Sequence, residues 1–302
     1  MWRIETRREL DDKEFYAIGH LIDDAAEHDG FRSLSDQLWL DLVNRSQVAF
    51  AAVLAIDDLD RISAYAQLAE GNLSIAVELV VSPDVRNEIT VLAPLMLRAA
   101  FDQIAAGGGG TVYWWVHRPD DTADVIASEV GLTLGRRLLQ LRRTLPIDET
   151  TDVATRAFVV GGDETEWLRV NNAAFHDHPE QGGWSIDTLR QREVEPWFDP
   201  EGFRLHERDG KLAAFCWTKV HDDATPPMGE IYVIAVDPTF QGLGLGRAMT
   251  LAGLHHLASS GLTVGMLHVD GANTAALSLY ERLGFTAHHA DHAYVGEIPA
   301  RL

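Results

Sequence analysis

The spacing of apolar and polar residues along the chain predicts a succession of helices and strands. Apolar residues recur at helical spacing in some segments and alternate with polar residues, as in half-buried strands, in others. A run of glycines at 107–110 marks the end of a long helix. The predicted elements of the first half are helices 10–28 and 33–45, strands 47–56, 61–69 and 73–81, helix 87–106, strand 111–116, helix 122–130 and strand 136–145.

The second half runs through the same order of elements. Asp209 and Gly210 form a dipeptide typical of a tight hairpin between two of its strands. The predicted elements are helices 164–175 and 185–194, strands 203–208, 211–220 and 232–236, a helix after Gly246, strand 263–269, helix 274–283 and strand 287–295.

The two halves also align directly with each other. Residues 81–83 match 236–238 at an offset of 155, and residues 129–132 match 282–285 at an offset of 153. A near-constant offset indicates a tandem duplication, and the Pro/Asp/Thr-rich stretch between the copies suits a linker. The predicted domains are residues 1–148 and 153–302.

A strand followed by a glycine-rich loop in the second half carries the functional prediction. Residues 231–236 are continuously apolar, as expected of a central strand that is covered on both faces. Gly242, Gly244 and Gly246 follow, just before a helical pattern. Backbone N–H groups at a helix N-terminus, unobstructed by Cβ atoms, suit a diphosphate. The ligand should be a phosphate ester, although neither the dinucleotide fingerprint nor the P-loop spacing is present.

Two segments of the second half resemble the GNAT acetyltransferase superfamily: Gln241-x-x-Gly244-x-Gly246 is similar to its coenzyme A loop, and 273–285 to its last helix and strand. The resemblance implies an α/β fold of two tandem GNAT domains, each a mixed, mostly antiparallel sheet flanked by helices, with acetyl-CoA as co-substrate. It further implies that strand N–H groups polarise the thioester carbonyl. The implied cofactor-binding residues are Ile234, Ala235, Val236, Gln241, Gly242, Leu243, Gly244, Leu245, Gly246, Arg247 and Asn273.

The first half lacks the glycine loop. At the positions aligned with Gln241, Gly242, Gly244 and Gly246 it carries Arg86, Asn87, Ile89 and Val91. Side chains at these positions would crowd a diphosphate that approaches the backbone. We therefore expect turnover in the second half alone, while cofactor binding by the first half stays open.

Acetyl transfer from a thioester to an amine requires a base for the amine and an acid for the departing thiolate. Glu230, at the start of the central strand, is the candidate base, acting directly or through water. The alternative is an ordinary surface carboxylate at a strand end. Tyr280 occupies the position where the superfamily keeps a tyrosine that protonates the thiolate, and the alternative is an aromatic packing residue.

A narrower resemblance, carried by residues 171–175, 178–184, 197–200 and 217–221, is to the mycothiol synthase family. It implies acetylation of the cysteinyl amine of a cysteine–glucosamine–inositol conjugate. Independently of this resemblance, a loop with a carboxylate, two glycines and Trp184 suits a polyhydroxylated ring, to which Trp184 offers an apolar face. Without the resemblance, Glu180 would be interpreted as an exposed loop residue and Lys219 as a solvated strand end. His268 is a departure from the family, which places a tyrosine at this position. The implied substrate-binding residues are Asp36, Glu180, Lys219, Glu230 and His268.

Composition narrows the classes of partner. The 302 residues carry a formal charge of −21, which argues against nucleic acid and permits a cationic substrate. No window approaches the ~20 apolar residues of a membrane span, and the N-terminus has no apolar signal region, so we expect a cytoplasmic protein. The single cysteine, Cys216, makes no internal disulfide.

The histidine pairs lack a spaced ligand set, so no metal is expected, and no apolar patch marks a self-association surface, so we expect a monomer. Two alternatives to the mycothiol reaction stay open. One is acetylation of another amine, on an aminoglycoside, a polyamine or a protein N-terminus. The other is a non-catalytic CoA-binding sensor.

Overall fold

The computed structural model describes residues 2–44, 51–178, 181–222 and 224–301. The chain divides into two compact units. Unit 1 comprises Met1–Arg137 and Ala290–Leu302, and unit 2 comprises Leu138–His289.

The described residues of unit 1 form four α-helices and a mixed sheet. The helices are α1 (Asp12–Asp29), α2 (Asp36–Val43), α3 (Ile89–Ala106) and α4 (Asp121–Glu129). The strands are β1 (Arg3–Arg7), β2 (Ala51–Ile56), β3 (Ile62–Glu70), β4 (Ile75–Val81) and β5 (Gly110–Val116), joined by the end of β12 (Thr286–Ile298). They follow the order β1-β2-β3-β4-β5-β12, antiparallel except for the parallel pair β4 and β5.

A 3₁₀ turn at Pro83–Glu88 continues directly into α3, and the combined helix Pro83–Ala106 is long and apolar enough to cross a membrane by length and composition alone. The sequence analysis expected no window of this kind. Leu92, Met96 and Leu97 of this helix are fully buried in the unit 1 core. It is therefore a core helix of this unit.

Unit 2 contains the glycine loop and the candidate site. Its helices are α5 (Glu164–Ala174), α6 (Ile186–Glu193), α7 (Leu245–Ser259) and α8 (Thr274–Arg282). Its strands are β6 (Thr133–Thr144), β7 (Arg156–Ala157), β8 (Phe203–Arg208), β9 (Lys211–His221), β10 (Met228–Val236) and β11 (Val264–Asp270). They follow the order β6-β11-β10-β9-β8-β7, antiparallel except for the parallel pair β10 and β11.

The compact units depart from the predicted domain bounds of 1–148 and 153–302. Residues 138–144 of β6 pair with β11 in unit 2, and residues 292–298 of β12 pair with β5 in unit 1. Hydrophobic spacing correctly predicted both strands but carries no information about their partners, because register and pairing depend on distant residues.

Both faces of the unit 2 sheet are covered, as the apolar run at 231–236 predicts. On the α7 and α8 side, Ile231 packs with Met249 and Leu254. On the α5 and α6 side, Val233 packs in an aromatic cluster that contains Trp167, Trp184, Phe203, Phe215 and Trp217. The central strand is thereby fixed between two cores.

Candidate active site

Strand β10 separates from β11 halfway along its length. The two strands pair only over Gly229–Ile231, whereas pairing with β9 continues to Val236. A register shift between Ile231 and Val233 inserts Tyr232 as a bulge at this point. Beyond the bulge, no described strand pairs with the other edge of β10. Ile234, Ala235 and Val236 lie in this unpaired part of β10, where the resemblance to the GNAT superfamily implies backbone N–H groups for a carbonyl oxygen.

Asp237 fixes the turn that leads from β10 into the glycine loop. It is 3% exposed and accepts hydrogen bonds from the backbone N–H and hydroxyl of Thr239, at 2.8 and 2.6 Å, and from Arg169 at 2.6 Å. Burial by itself raises the pKa of Asp237, but the bonds from Thr239 and Arg169 outweigh it and hold that pKa below its usual range. The turn is therefore held by an ionised carboxylate.

The glycine loop exposes the N-terminus of α7. Gly242 and Gly244 have φ values of 80° and 75°, a left-handed conformation that favours glycine. Gly244 is the N-cap of α7, and no side chain caps it. A Cβ at either glycine would have no protein neighbour within 4 Å, so both backbones face open space. The first-turn N–H groups of α7 thus form an anion site of the kind that the glycine spacing predicts.

A cavity of about 460 Å³ lies beside this loop. Seven predicted cofactor residues line it: Val236, Gln241, Gly242, Gly244, Leu245, Gly246 and Arg247. Four other residues, which sequence reasoning missed, also line it: Phe240, Leu279, Arg282 and Leu283. Leu279 and Arg282 lie one turn apart on α8, and Leu283 follows as its C-cap, so the three residues share the side of the helix that faces the cavity.

Four predicted cofactor residues do not line this cavity: Ile234, Ala235, Leu243 and Asn273. Leu243 is 51% exposed. Asn273 is the N-cap of α8, and its side chain accepts a hydrogen bond from the N–H of Ala276 at 3.1 Å. In the described structure the Asn273 side chain therefore caps α8.

Glu230 is buried between two histidines. Its Oε2 lies 2.7 Å from Nε2 of His221, and its Oε1 lies 3.0 Å from Nδ1 of His268. Burial favours the neutral acid and by itself raises the pKa of Glu230, but the hydrogen bonds from both imidazoles outweigh burial and hold that pKa well below its usual range. Glu230 is 7% exposed, so it is not the surface carboxylate of the alternative interpretation.

A chain of polar groups orients His268. Nε of Arg142 donates to Oε1 of Gln140 at 2.7 Å, which leaves the Gln140 amide nitrogen to face Nε2 of His268 at 3.2 Å. The amide nitrogen is only a donor, so Nε2 of His268 accepts and Nδ1 carries the proton toward Glu230. His268 therefore takes one neutral tautomer in this arrangement.

Two buried cations lie near Glu230 and Tyr232: Lys219 on β9 and Arg192 on α6. Lys219 lies opposite Glu230 in the β9–β10 register and is 7% exposed, with Nζ 4.7 Å from the Trp197 ring centre. Arg192 donates to the hydroxyl of Tyr232 at 3.0 Å. Lys219 is therefore a buried group beside Glu230 and not a solvated strand end.

Trp184 does not offer the open apolar face that the sequence predicts for a sugar ring. It is 8% exposed, with the Arg192 guanidinium 4.2 Å from its ring centre and Trp167 packed against it at 5.6 Å. The expectation was wrong because the ring joins the aromatic core.

Glu180 lies outside the described residues, but the segment around it is anchored. The Asn172 side chain makes two hydrogen bonds with the backbone of Trp184, at 2.9 and 3.0 Å, and Asn171 donates to the carbonyl of Gln181 at 3.2 Å. Asp36 is the first residue of α2 and belongs to unit 1. Of the predicted substrate-binding residues, the structure brings three together in unit 2: Lys219, Glu230 and His268.

Tyr280 lies on α8 and is 7% exposed. Its ring contacts that of Phe285 edge-on at 5.7 Å, and no described residue hydrogen-bonds its hydroxyl. Burial raises the pKa of Tyr280 above its usual range. The hydroxyl is therefore protonated at neutral pH, as a proton donor must be.

The corresponding segment of unit 1 has a different conformation. Residues Pro83–Glu88 form one 3₁₀ helix, whereas the aligned stretch of unit 2 is 3₁₀ only over Pro238–Phe240 and then continues into the glycine loop. Arg86 is held there by two hydrogen bonds to Asp29, at 2.8 and 2.6 Å. An open glycine cradle is therefore not present in this part of unit 1.

The chain matches one family model and is similar to several known proteins. The family model described as "Acetyltransferase (GNAT) family" matches residues 167–285. A mycothiol acetyltransferase of Thermomonospora curvata is 44% identical over 96% of both chains. A GCN5-related N-acetyltransferase of Sphaerobacter thermophilus has a TM-score of 0.69 at 21% identity, covering 99% of this chain and 97% of its own. A tandem GNAT protein from the clavulanic acid biosynthesis pathway has a TM-score of 0.68 at 15% identity, covering 99% of this chain and 100% of its own.

Proposed function

The chain belongs to the mycothiol acetyltransferase family, and on that premise we propose that unit 2 transfers acetyl from acetyl-CoA to the cysteinyl amine of a cysteine–glucosamine–inositol conjugate, giving mycothiol. The observation that carries the proposal is that three structural features lie in order along one short stretch of the chain. Glu230, the open edge of β10 and the uncapped N-terminus of α7 follow one another within residues 230–247. The proposed base, the proposed carbonyl site and the proposed diphosphate site are thus consecutive.

The residues along the cavity fit acetyl-CoA, which supplies the activated acyl group. Backbone N–H groups from Gln241 to Arg247 hold its diphosphate, and two arginines, Arg247 and Arg282, add positive charge at the same cavity. Leu243, within this loop, contributes through its backbone. Asn273 contacts the pantetheine arm while it caps α8.

Three groups divide the chemistry between them. Backbone N–H groups among Ile234, Ala235 and Val236 stabilise the oxyanion as the amine attacks the thioester carbonyl. Glu230, which is ionised, receives the ammonium and removes its proton toward solvent. Tyr280, which is protonated, donates to the departing thiolate. The amine attacks directly, without an acyl-enzyme intermediate.

The polyhydroxylated part of the acceptor needs hydrogen-bonding groups around Glu230. Lys219 and His268 lie on either side of that carboxylate and suit this role. Glu180 and Asp36 complete the proposed set of substrate contacts. Histidine at position 268 retains a ring N–H donor, and its bond to Glu230 makes it part of the base side of the site.

The corresponding strand orders of the two units support an origin by tandem duplication, with an ancestral boundary between residues 148 and 153. We further propose that the protein is a cytoplasmic monomer that acts without a metal. A formal charge of −21 disfavours nucleic acid as a partner.

The test is thiol release from acetyl-CoA, measured against a panel of amines. The panel includes the cysteinyl pseudodisaccharide, an aminoglycoside, a polyamine and a peptide with a free N-terminus. We expect the cysteinyl compound to give the highest kcat/KM. Turnover of another amine with the cysteinyl compound ignored would overturn the acceptor assignment, and binding of acetyl-CoA without turnover of any amine would favour the sensor.

A further inference from the structure

His221 lies at the end of β9, outside every predicted site residue, and contacts Glu230 directly. Its Nε2 is 2.7 Å from Oε2 of Glu230, the shorter of the two imidazole contacts to that carboxylate. His221 pairs with Met228 and Lys219 pairs with Glu230, so alternate residues of β9 place Lys219 and His221 on the face that carries Glu230. Strand register therefore assembles a carboxylate–imidazole pair.

The two imidazoles on Glu230 differ in their freedom to take up a proton. Both ring nitrogens of His268 are engaged, Nδ1 by Glu230 and Nε2 by the Gln140 amide, which is itself oriented by Arg142. A second proton on His268 would break the bond from Gln140. His221 uses Nε2 toward Glu230, and no described residue hydrogen-bonds its Nδ1. Solvent reaches both side chains, which are 24% and 29% exposed for His221 and His268, so the two differ in the hydrogen bonding of the second ring nitrogen and not in exposure.

Glu230 by itself stores a proton poorly, because two hydrogen bonds stabilise its charged form. A carboxylate that accepts a hydrogen bond from one N–H of an imidazole can instead control the protonation of that imidazole. It fixes the tautomer, directs the other ring nitrogen outward and stabilises the imidazolium that forms when that nitrogen is protonated.

We propose that His221 is the final protein acceptor of the proton that leaves the acceptor amine, and that Glu230 receives the ammonium and holds His221. This inference rests on the proposed acetylation of an amine. An N–H bond of the ammonium breaks, the proton passes through solvent in the site to Nδ1 of His221, and a new N–H bond forms there. The freed lone pair attacks the thioester carbonyl, and the imidazolium releases its proton to bulk solvent.

His221 takes up the proton through solvent and has no proposed contact with the amine or the thioester. The charged and titratable groups around it and Glu230 are Lys219 on β9, His268 on β11 and Arg142 on β6, with Asp222 next in sequence. Only a neutral imidazole can accept the proton, so the inference predicts that the acidic limb of the kcat–pH profile depends on the presence of His221.

The test is His221→Gln, compared with the matched change His206→Gln. Glutamine retains an amide N–H for Glu230 but cannot take up a proton. His206 lies on β8, where its Nδ1 contacts the Ala154 carbonyl at 2.8 Å, away from Glu230. We expect H221Q to lower kcat about 100-fold or more, the usual range for lost general acid–base catalysis, with the KM for acetyl-CoA unchanged. The acidic limb of its kcat–pH profile should be lost, and added imidazole should restore part of the rate of His221→Ala.

The outcomes separate this inference from the proposed function. Retention by H221Q of the wild-type kcat and the wild-type acidic limb would overturn the inference and leave acetyl transfer intact. Absence of amine acetylation by the wild-type protein would overturn the proposed function itself. Loss of acetyl-CoA affinity or of thermal stability in H221Q but not in H206Q would assign His221 a purely structural role and would also overturn the inference.

Discussion

Replacing Gly244 with alanine tests the diphosphate cradle directly. Gly244 has a φ of 75°, and holding an L-residue in that left-handed region costs about 1–2 kcal/mol. If the backbone keeps this φ, the new Cβ projects into the open space that the diphosphate would occupy. If it relaxes, the first-turn N–H groups of α7 turn away. In the first case the Cβ competes with the diphosphate for space, and in the second case binding must restore the left-handed φ. Acetyl-CoA binding should therefore weaken, with the strain energy as the scale of the loss, roughly 5- to 30-fold in Kd.

Gly261 provides a matched control in the same unit. It has a φ of 83°, an added Cβ there has no neighbour within 4 Å, and it does not line the cavity. Gly261→Ala should therefore cost similar folding free energy without touching the ligand. Isothermal titration with acetyl-CoA, together with urea unfolding, measures both quantities. Equal affinity in the two variants, whether both bind normally or both bind weakly, would refute the cradle.

Three further predictions concern the acid, the packing and the turn. Tyr280→Phe should lower kcat about 10²- to 10⁴-fold and leave acetyl-CoA affinity unchanged, and an unchanged kcat would remove Tyr280 as the acid. Gly253→Ala places a Cβ 2.5 Å from Sγ of the buried Cys216 and should cost about 1–3 kcal/mol in urea unfolding, whereas a neutral result would contradict the packing. The folded-state pKa of Asp237 is lowered, so its contribution to stability is present above its ordinary pKa of 3.8 and lost as pH falls further. Asp237→Asn should therefore destabilise the protein at pH 7 more than at pH 3, and equal losses at both pH values would contradict this.

Local patterns in the sequence predicted most elements, because helical spacing and strand alternation are read over a few residues. Strand β9 was predicted at 211–220 and occupies Lys211–His221. Two short edge strands were missed: Arg3–Arg7 has charged residues at alternate positions, and Arg156–Ala157 is only two residues long. Neither contains the apolar alternation from which a strand is predicted.

The glycine loop was predictable for the same local reason. A left-handed φ at Gly242 and Gly244 and an uncapped helix N-terminus follow from residues within one turn of each other. Arg282 was missed although it lines the same cavity, because its role depends on how α8 packs beside the loop. A leucine of α8, Leu279, lies 3.7 Å from a Cβ placed on Gly246, and this contact joins residues more than thirty positions apart in the chain.

The chemistry of Glu230 depends most on non-local structure. Its neighbours come from β9 and β11, and the polar chain behind His268 comes from β6, more than eighty residues upstream of Glu230. The length of the connection between His221 and Met228 does not reveal that these two residues pair, so the sequence alone could not place His221 on Glu230. A carboxylate predicted as an isolated base is therefore, in the folded protein, an anion held between two imidazoles, and its proton chemistry must be tested through His221 as well as through Glu230.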